Sequence, residues 1–548
     1  QKLLDKVAEK WGKLTQRKQV GEKLFEDLMT WRTSLTKEFK KQNDLTEEEI
    51  DEGVQRILDR LIFIRTAEDR KIESNVLLGV LRSGKAGLYR QLAKAFRDFD
   101  DDFNSKLFTP HYCEQWQAED KAIKEVLAGL YETKDGYRYD FSAISADVLG
   151  GIYEQYLSLV LKKSKKKAEI SHKDKKRKSQ GIYYTPKYIV EYIVKETLGE
   201  VLKKTKPKDI SKIKVLDPAC GSGSFLTVAY DKILAQLTKQ DTQTSLFTKF
   251  NILKENIFGV DLDAQAVEIA QLNLLLKVLS HKTKLPTLQN NLRVGNSLIS
   301  SGDVNSSIDF QADFKEVFEH GGFDVIIGNP PYIKEYTNKS AFDGLHDNPY
   351  YQGKMDIWTL FACTAIDLLK DDGYFSFIAP NNWLTNAGAT IFRDKILSEG
   401  QIIKFVDFGD FKVFKDAGIQ TMIFVFRKNK PKKNYGVSYA KIIDKNIEEK
   451  TVDTLLQSGL EYTEKGLINF ESVINPRQIA GKNIVFTNQT NGEILTKIES
   501  KKNFELKEKE VAQGIVGDPD KAFVFSAEAK FNDTEKKLLF DYYTSVGN

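Results

Sequence analysis

The sequence predicts an α/β protein: an open, mostly parallel sheet of seven strands with helices on both faces, preceded by an all-helical domain. Three observations carry this. From about residue 180, short β-rich runs alternate with helical stretches, the pattern of a sheet whose strands are joined by crossover helices. Before that, residues 1–161 carry apolar residues at three- and four-residue spacing, the period of amphipathic helices. Finally, 548 residues with 41% hydrophobic and 29% charged side chains exceed one ordinary core, so two to four soluble globular domains are expected.

The helical part is clearest in EEEIDEGVQRILDRLIFIRTAEDR (47–70) and DVLGGIYEQYLSLVLKK (147–163). KKSKKKAEISHKDKKRK (162–178) follows, with ten Lys/Arg against two acids. It reads as a solvated linker that can also meet nucleic-acid phosphates. The strand runs are KVLD (214–217), IFGVD (257–261), LRVGN (292–296), DVIIGN (324–329), YFSFIAP (374–380), IIKFVDFG (402–409) and TMIFVF (421–426). The last two lie too close for a crossover helix and are expected to form an antiparallel edge pair. Helices fall between, as in AQAVEIAQLNLLLKVL (264–279) and IWTLFACTAIDLLK (357–370). Asp356 and Trp358 read as a helix start and packing. No architecture is legible from 436 to 548.

Several classes are excluded. No run of 18 apolar residues offers a transmembrane helix, and the charged start QKLLDKVAEKWGKL is no signal peptide. The chain opens without Met, as a fragment or a processed chain would. Net charge is only +4. Cys113, Cys220 and Cys363 form no CxxC pair, which argues for a reducing compartment and against structural zinc.

The first strand runs into VLDPACGSGSFL (215–226) and then a helix. A glycine-rich turn there lets a ligand approach the backbone closely. No Lys follows it, so it is not a phosphate-binding GxxxxGK[ST]. Residue 226 is Leu, so it is not a GxGxxG dinucleotide loop either. Asp217 at the strand end suits a cationic or amine-bearing ligand. Asp261 ends the second strand, where a carboxylate can accept both hydroxyls of a ribose. Asn296 ends the third, where an amide can read an adenine edge. Each alone reads as a capped strand end. Three at the carboxyl ends of consecutive strands lie where open α/β sheets bind ligands, and together they suit an adenosyl group without a pyrophosphate. The fourth run ends in GNPPYI (328–333), whose two prolines end the strand because neither offers an N–H and both fix φ.

These motifs resemble the gamma-class amino-methyltransferases that act on the N6 of adenine in DNA. QGIYYTPKYIVEYIV (180–194), VLDPACGSGSFL, GVDLD, GNSL (295–298) and GNPPYI follow that family's order. GYFSFIAPNNWL (373–384) and FVDFGDFKVFKDAGIQTMIFVF (405–426) come after them, also in order. The helical front, with LIFIRTAEDR (61–70) and GGIYEQYL (150–157), resembles the connector of type IIG restriction–modification enzymes. VAQGIVGDPDKAF (511–523) resembles the opening of a target-recognition domain. The implied organisation is a helical connector (1–161), a basic linker (162–179), a Rossmann-like methyltransferase domain (180–435), a second connector (436–500) and the start of a recognition domain (501–548). The chain stops too soon to complete that last domain. Glu119-Asp120-Lys121 fits a nuclease ExK pattern but lies in helical sequence without a paired strand Asp, so no nuclease motif is assigned.

The resemblance implies transfer of methyl from S-adenosylmethionine to adenine in double-stranded DNA, in a prokaryotic cytoplasm. Nuclease and recognition regions are possible partners in a full-length chain. It implies cofactor contacts from Tyr184, Thr185, Pro186, Asp217, Pro218, Ala219, Gly221, Gly223, Asp261, Leu262, Asn296, Ser297 and Asn329. Many relatives carry Asp where this chain has Asn296; the amide keeps an acceptor. The catalytic turn is Asn329, Pro330, Pro331 and Tyr332. Asn329 Oδ1 and the Pro330 carbonyl would accept hydrogen bonds from the amine. Tyr332 and Phe414 would stack on the two faces of a flipped base. No metal is implied. Two other readings stay open: an NPPY methyltransferase acting on RNA or protein glutamine, and a non-catalytic DNA-binding phage-exclusion component. Cytosine-C5 chemistry is disfavoured, because no Pro-Cys nucleophile stands beside the site.

Overall fold

In a computed structural model, the structure describes residues 20–103, 106–144, 185–239, 245–280, 284–300, 307–414, 418–430, 434–458, 466–476 and 481–501. The basic stretch 162–178, the segments 150–157 and 511–523, and Tyr184 lie outside them. Residues 1–489 form one compact unit and 490–548 a second.

The helical region holds α1 (Val20–Gln42), α2 (Glu47–Asp69), α3 (Val76–Arg82), α4 (Leu88–Phe103) and α5 (Asp120–Gly129). A capping box starts α2: Thr46 Oγ1 accepts from Glu49 N–H at 3.2 Å while Glu49 Oε2 accepts from Thr46 N–H at 2.8 Å. The predicted helix over 47–70 is therefore present, and most of its length is buried. Asp120 of the ExK pattern serves as a cap, accepting from Gly87 N–H at 3.0 Å and Leu88 N–H at 2.7 Å at the start of α4. Among the described residues, no cluster of His, Cys, Asp or Glu is arranged to hold a metal ion, and no helix is long and apolar enough to cross a membrane.

The sheet holds β1 (Val215–Asp217), β2 (Ile257–Asp261), β3 (Leu292–Val294), β4 (Phe323–Gly328), β5 (Leu369–Pro380), β6 (Gln401–Asp407), β7 (Thr421–Arg427), β8 (Tyr435–Ile442) and β9 (Leu467–Ile474). Their order is β3-β2-β1-β4-β5-β7-β6-β8-β9. All seven runs read from the sequence are strands, but the sheet has nine among the described residues. The pairs from β3 through β5 are parallel, β7 is antiparallel to both β5 and β6, and β8 pairs β6 in parallel. The expected antiparallel pairing of β6 and β7 is present, but neither strand is an edge. β7 inserts between β5 and β6, and β8 covers the far side of β6. β8 begins at the residue set as the end of the domain, so the sheet runs on past it.

The inner strands are hydrophobic because both faces are covered; all six residues of β4 are buried. Helix α6 (Lys187–Glu196) precedes the sheet, α7 (Ser224–Thr238) follows β1, and α8 (Ala264–Val278) follows β2. Helix α9 (Trp358–Leu368) leads into β5. The helical region braces α8 and the segment after it: the Arg70 guanidinium donates to the Leu276 carbonyl of α8, and Leu285 N–H, beyond the helix, donates to the Phe103 carbonyl at 2.8 Å. The chain moves outward from β1 through β2 to β3, then returns to place β4 on the other side of β1. That reversal is the switch point, where open α/β sheets form a ligand crevice at the strand ends.

Candidate active site

Asp217 ends β1 at this crevice and is only 1% exposed. Its Oδ1 accepts from Ala219 N–H at 3.1 Å, which turns the chain into the glycine loop. Gly221 and Gly223 take φ of +51° and +80°, the left-handed region that glycine enters without strain. A Cβ at Gly223 would also lie 3.0 Å from the Ala270 Cβ of α8. Asn273, also on α8, donates from Nδ2 to the Ser222 carbonyl at 3.0 Å. Helix α8 thus grips the loop that β1 delivers.

Asp261 ties the second strand to this loop. Its Oδ2 accepts from Gly221 N–H at 2.8 Å and its Oδ1 from Asp263 N–H at 2.9 Å. Each carboxylate oxygen can accept a further bond, so the group is oriented without being saturated. Part of the residue stays exposed, yet the protein packed around its carboxyl pushes it up to about 6, against the backbone N–H groups of Asp263, Gly221 and Leu262, which favour the ionised form. Leu262 beside it is 66% exposed, an apolar side chain at the rim. Asn296 Oδ1 accepts from Leu298 N–H at 2.9 Å, closing the turn after β3. Ser297 Oγ donates to the Pro218 carbonyl at 2.6 Å, joining that turn to the glycine loop.

β4 brings its turn to the same place. A Cβ on Gly328 would lie 2.6 Å from Asp217 Oδ1, so β4 approaches β1 as closely as it does only because residue 328 has no side chain. Gly328→Ala is expected to displace Asp217. Calorimetry should show at least ~10-fold weaker binding of S-adenosylhomocysteine, together with a stability loss of about 1–3 kcal/mol in denaturant melts. Unchanged binding would separate Asp217 from the ligand crevice.

Asn329 follows. Its Nδ2 donates to Thr185 Oγ1 at 3.0 Å, and Thr185, just before α6, is buried. Its Oδ1 receives the Tyr332 hydroxyl, which also lies 2.8 Å from the Ile378 carbonyl on β5. The amide is therefore held at both ends. Thr185 holds the donor end, which fixes the direction of the acceptor end. Pro186 stands between Thr185 and α6 as its N-cap residue.

Tyr332 and Phe414 are both buried and in contact, with ring centroids 6.2 Å apart and planes at 62°. The two expected stacking partners are together, but edge to face rather than as parallel plates. A planar ring lying between them needs one of them to turn.

Beside Tyr332 opens a cavity of about 580 Å³, walled also by Lys334, Asp356, Asn381, Asn382 and Gln420. This volume falls within the range of small-ligand sites. Asp356 was expected only to start a helix. It is 7% exposed, and neither of its carboxyl oxygens has a hydrogen-bond partner. The sequence gives no sign of this, since Asp before a helix reads as a cap.

The sheet reverses between β1 and β4 and presents Asp217, Asp261 and Asn329 at that reversal. Residues 255–414, from just before β2 to Phe414, match the Eco57I restriction-modification methylase family. The chain is 29% identical over 443 residues to the type II restriction enzyme and methyltransferase RM.Eco57I of Escherichia coli, covering 75% of this chain and 44% of that protein. It is 24% identical over 326 residues to the type II methyltransferase M.VspI of a Vibrio species, covering 59% and 60%. The fold is shared with the type IIL restriction–modification enzyme MmeI, solved in complex with DNA: TM-score 0.55, 17% identity, 84% of this chain and 62% of that one. The chain spans less than half the length of RM.Eco57I.

Proposed function

We propose that the protein transfers the methyl group of S-adenosylmethionine to the N6 amine of an adenine flipped out of double-stranded DNA, within a restriction–modification system. The observation that carries this reading is the Asn329 amide, held by Thr185 and Tyr332 beside the Asp217 and Asp261 strand ends. The residues present suit an adenosyl donor. Asp261 offers an oriented carboxylate for a ribose, and the positive-φ glycines leave backbone open to close approach. Asp217, with Thr185 and Pro186, suits the charged methionine end. Leu262, Asn296 and Ser297 suit the adenine side, and Pro218 and Ala219 complete the loop. When bound, the donor supplies an electrophilic methyl group.

The chain's own contribution is orientation. An exocyclic adenine amine is a weak nucleophile because its lone pair is delocalised into the ring. Hydrogen bonds accepted by Asn329 Oδ1 and the Pro330 carbonyl draw on the two N–H bonds and leave the lone pair aimed away from the ring plane. Pro330 and Pro331 stiffen the turn, so these acceptors need no reorganisation at the moment of reaction. A base within a duplex cannot reach such a crevice, so flipping is required.

The deciding experiment offers tritiated donor with double-stranded DNA, RNA and protein in parallel. Label on DNA, recovered as N6-methyladenine, is expected. Label on RNA or protein but not on DNA would overturn the reading. For the donor, Asp261→Ala is expected to weaken S-adenosylhomocysteine about 10–100-fold, since it removes charge-assisted bonds to both ribose hydroxyls. Affinity in the wild type should also fall as pH drops through about 6, where the carboxylate takes a proton. Calorimetry at pH 5 and pH 8 checks both.

A further inference from the structure

The chain returns to the NPPY turn a second time. Residues 333–335 pair antiparallel with 355–357: Ile357 N–H donates to the Ile333 carbonyl at 2.9 Å and Glu335 N–H to the Met355 carbonyl at 3.0 Å, with Lys334 opposite Asp356. This short ladder fixes the Asp356 backbone against the segment that leaves Tyr332. Both residues line the same cavity of about 580 Å³.

Three facts set Asp356 apart. It is more than nine-tenths buried, neither carboxyl oxygen has a partner at full hydrogen-bond geometry although the backbone N–H groups of Ile333, Trp358 and Ile357 lie near it, and it faces a cavity large enough for a nucleobase. A buried polar group without a partner costs stability, so its retention asks for a reason. A carboxyl carrying one proton presents a donor and an acceptor side by side. With both amine hydrogens held by Asn329 and Pro330, it is the O–H donor that matters: it can bond a ring nitrogen that carries no proton, and adenine shows one on either side of N6. On the Watson–Crick edge guanine and thymine present a ring N–H there instead, which cannot accept that bond.

We infer that Asp356 is a base-binding residue: in its protonated form it hydrogen-bonds a ring nitrogen beside the amine that Asn329 holds, and so selects the extruded base. This rests on the methyl-transfer reading above. Burial supports the protonated form, pushing the carboxyl up to about 7, with the Lys334 ammonium and the nearby Ile333, Trp358 and Ile357 backbone acting the other way. The other charged groups on the cavity wall are Asp410, which accepts from Gln420 Nε2 at 2.6 Å, and Lys412. The neutral amides of Asn381, Asn382 and Gln420, the phenols of Tyr332 and Tyr336 and the Thr337 hydroxyl complete its polar side chains.

The test compares Asp356→Asn with Asp356→Ala. Asparagine offers the same donor–acceptor pair without a titrating proton; alanine offers neither. With a duplex that the wild type methylates, kcat/KM for Asp356→Asn should stay within about fivefold of wild type, while Asp356→Ala should lose about 10–100-fold. Binding of S-adenosylhomocysteine should be unchanged in both, which shows that the variants are folded. Replacing the target adenine by its 1-deaza or 7-deaza analogue should weaken the wild type for one of the two and cost Asp356→Ala nothing further. Equal losses in Asp356→Asn and Asp356→Ala, or no loss in either, would overturn the assignment while leaving methyl transfer intact. A wild type that transfers no methyl to DNA would overturn both readings together.

Discussion

Asn329→Ala is expected to lower methyl transfer to DNA by about 10²–10³-fold in kcat while changing S-adenosylhomocysteine affinity by less than about fivefold. The magnitude is that of removing one preorganised hydrogen-bonding group from a reacting centre. The separation follows from geometry. The residues suited to the adenosyl group sit on the ends of β1, β2 and β3, and Asn329 reaches the crevice from β4. Its side chain is bound by Thr185 and Tyr332 rather than by the glycine loop. Asn329→Asp sharpens the test. It keeps an acceptor but removes the Nδ2 donor that Thr185 Oγ1 receives at 3.0 Å, so the Thr185 contact no longer distinguishes the two ends of the group. Its loss should lie between those of wild type and Asn329→Ala. Single-turnover rates with saturating donor measure the chemical step directly. Transfer by Asn329→Ala at the wild-type rate would show that the amine is held elsewhere.

What the sequence made legible is what local chemistry determines. Two prolines stop β4 wherever the chain goes next, and an acid before a glycine turn marks the end of β1. Thus Asp217, Asp261 and Asn329 could be placed at strand ends before any fold was known. Where pairing partners decide, the sequence was silent. The start of β5 at Leu369 was hidden behind Lys-Asp-Asp-Gly, which reads as a turn. In the sheet, Asp372 takes φ +64° and the β4–β5 register shifts there, so these residues are absorbed as an irregularity of the strand. β7 lies between β5 and β6 although it follows both in sequence, an arrangement set by long-range pairing alone. β8 and β9 are not evident because each mixes exposed polar with buried apolar positions, and β8 directly follows a Lys-rich stretch.

The site shows the same division. Residue types suited to an adenosyl group were legible; the bonds that orient them were not. Neither the Thr185 hold on Asn329 nor the Ser297 bond to Pro218 has a sequence signature, since each joins residues far apart in the chain. Asp356 is the sharpest case. Its character depends on the ladder between 333–335 and 355–357, which buries a side chain that a helix start would leave in water.

Asp356→Asn is expected to stabilise the protein at alkaline pH, whatever Asp356 binds. Burial raises the folded carboxyl from its ordinary 3.8 to about 7, so the folded state holds the proton more tightly than the unfolded chain. Its effect is therefore most favourable at pH below 3.8. Stability is lost as pH rises from there to about 7 and is not regained above it, because the unfolded chain releases the proton first. The gap corresponds to roughly 4 kcal/mol in all, most of it accrued above pH 5. Asparagine has no proton to lose, so its advantage over wild type at pH 8 should exceed that at pH 5 by roughly 2–3 kcal/mol. Both proteins share every other titrating group, so the difference between their curves isolates this one. Denaturant melts of the two proteins at pH 5, 6, 7 and 8 measure it. Parallel curves would mean that Asp356 titrates as an exposed carboxylate, and the cavity would then hold a charged group stabilised by the Lys334 ammonium rather than a neutral acid.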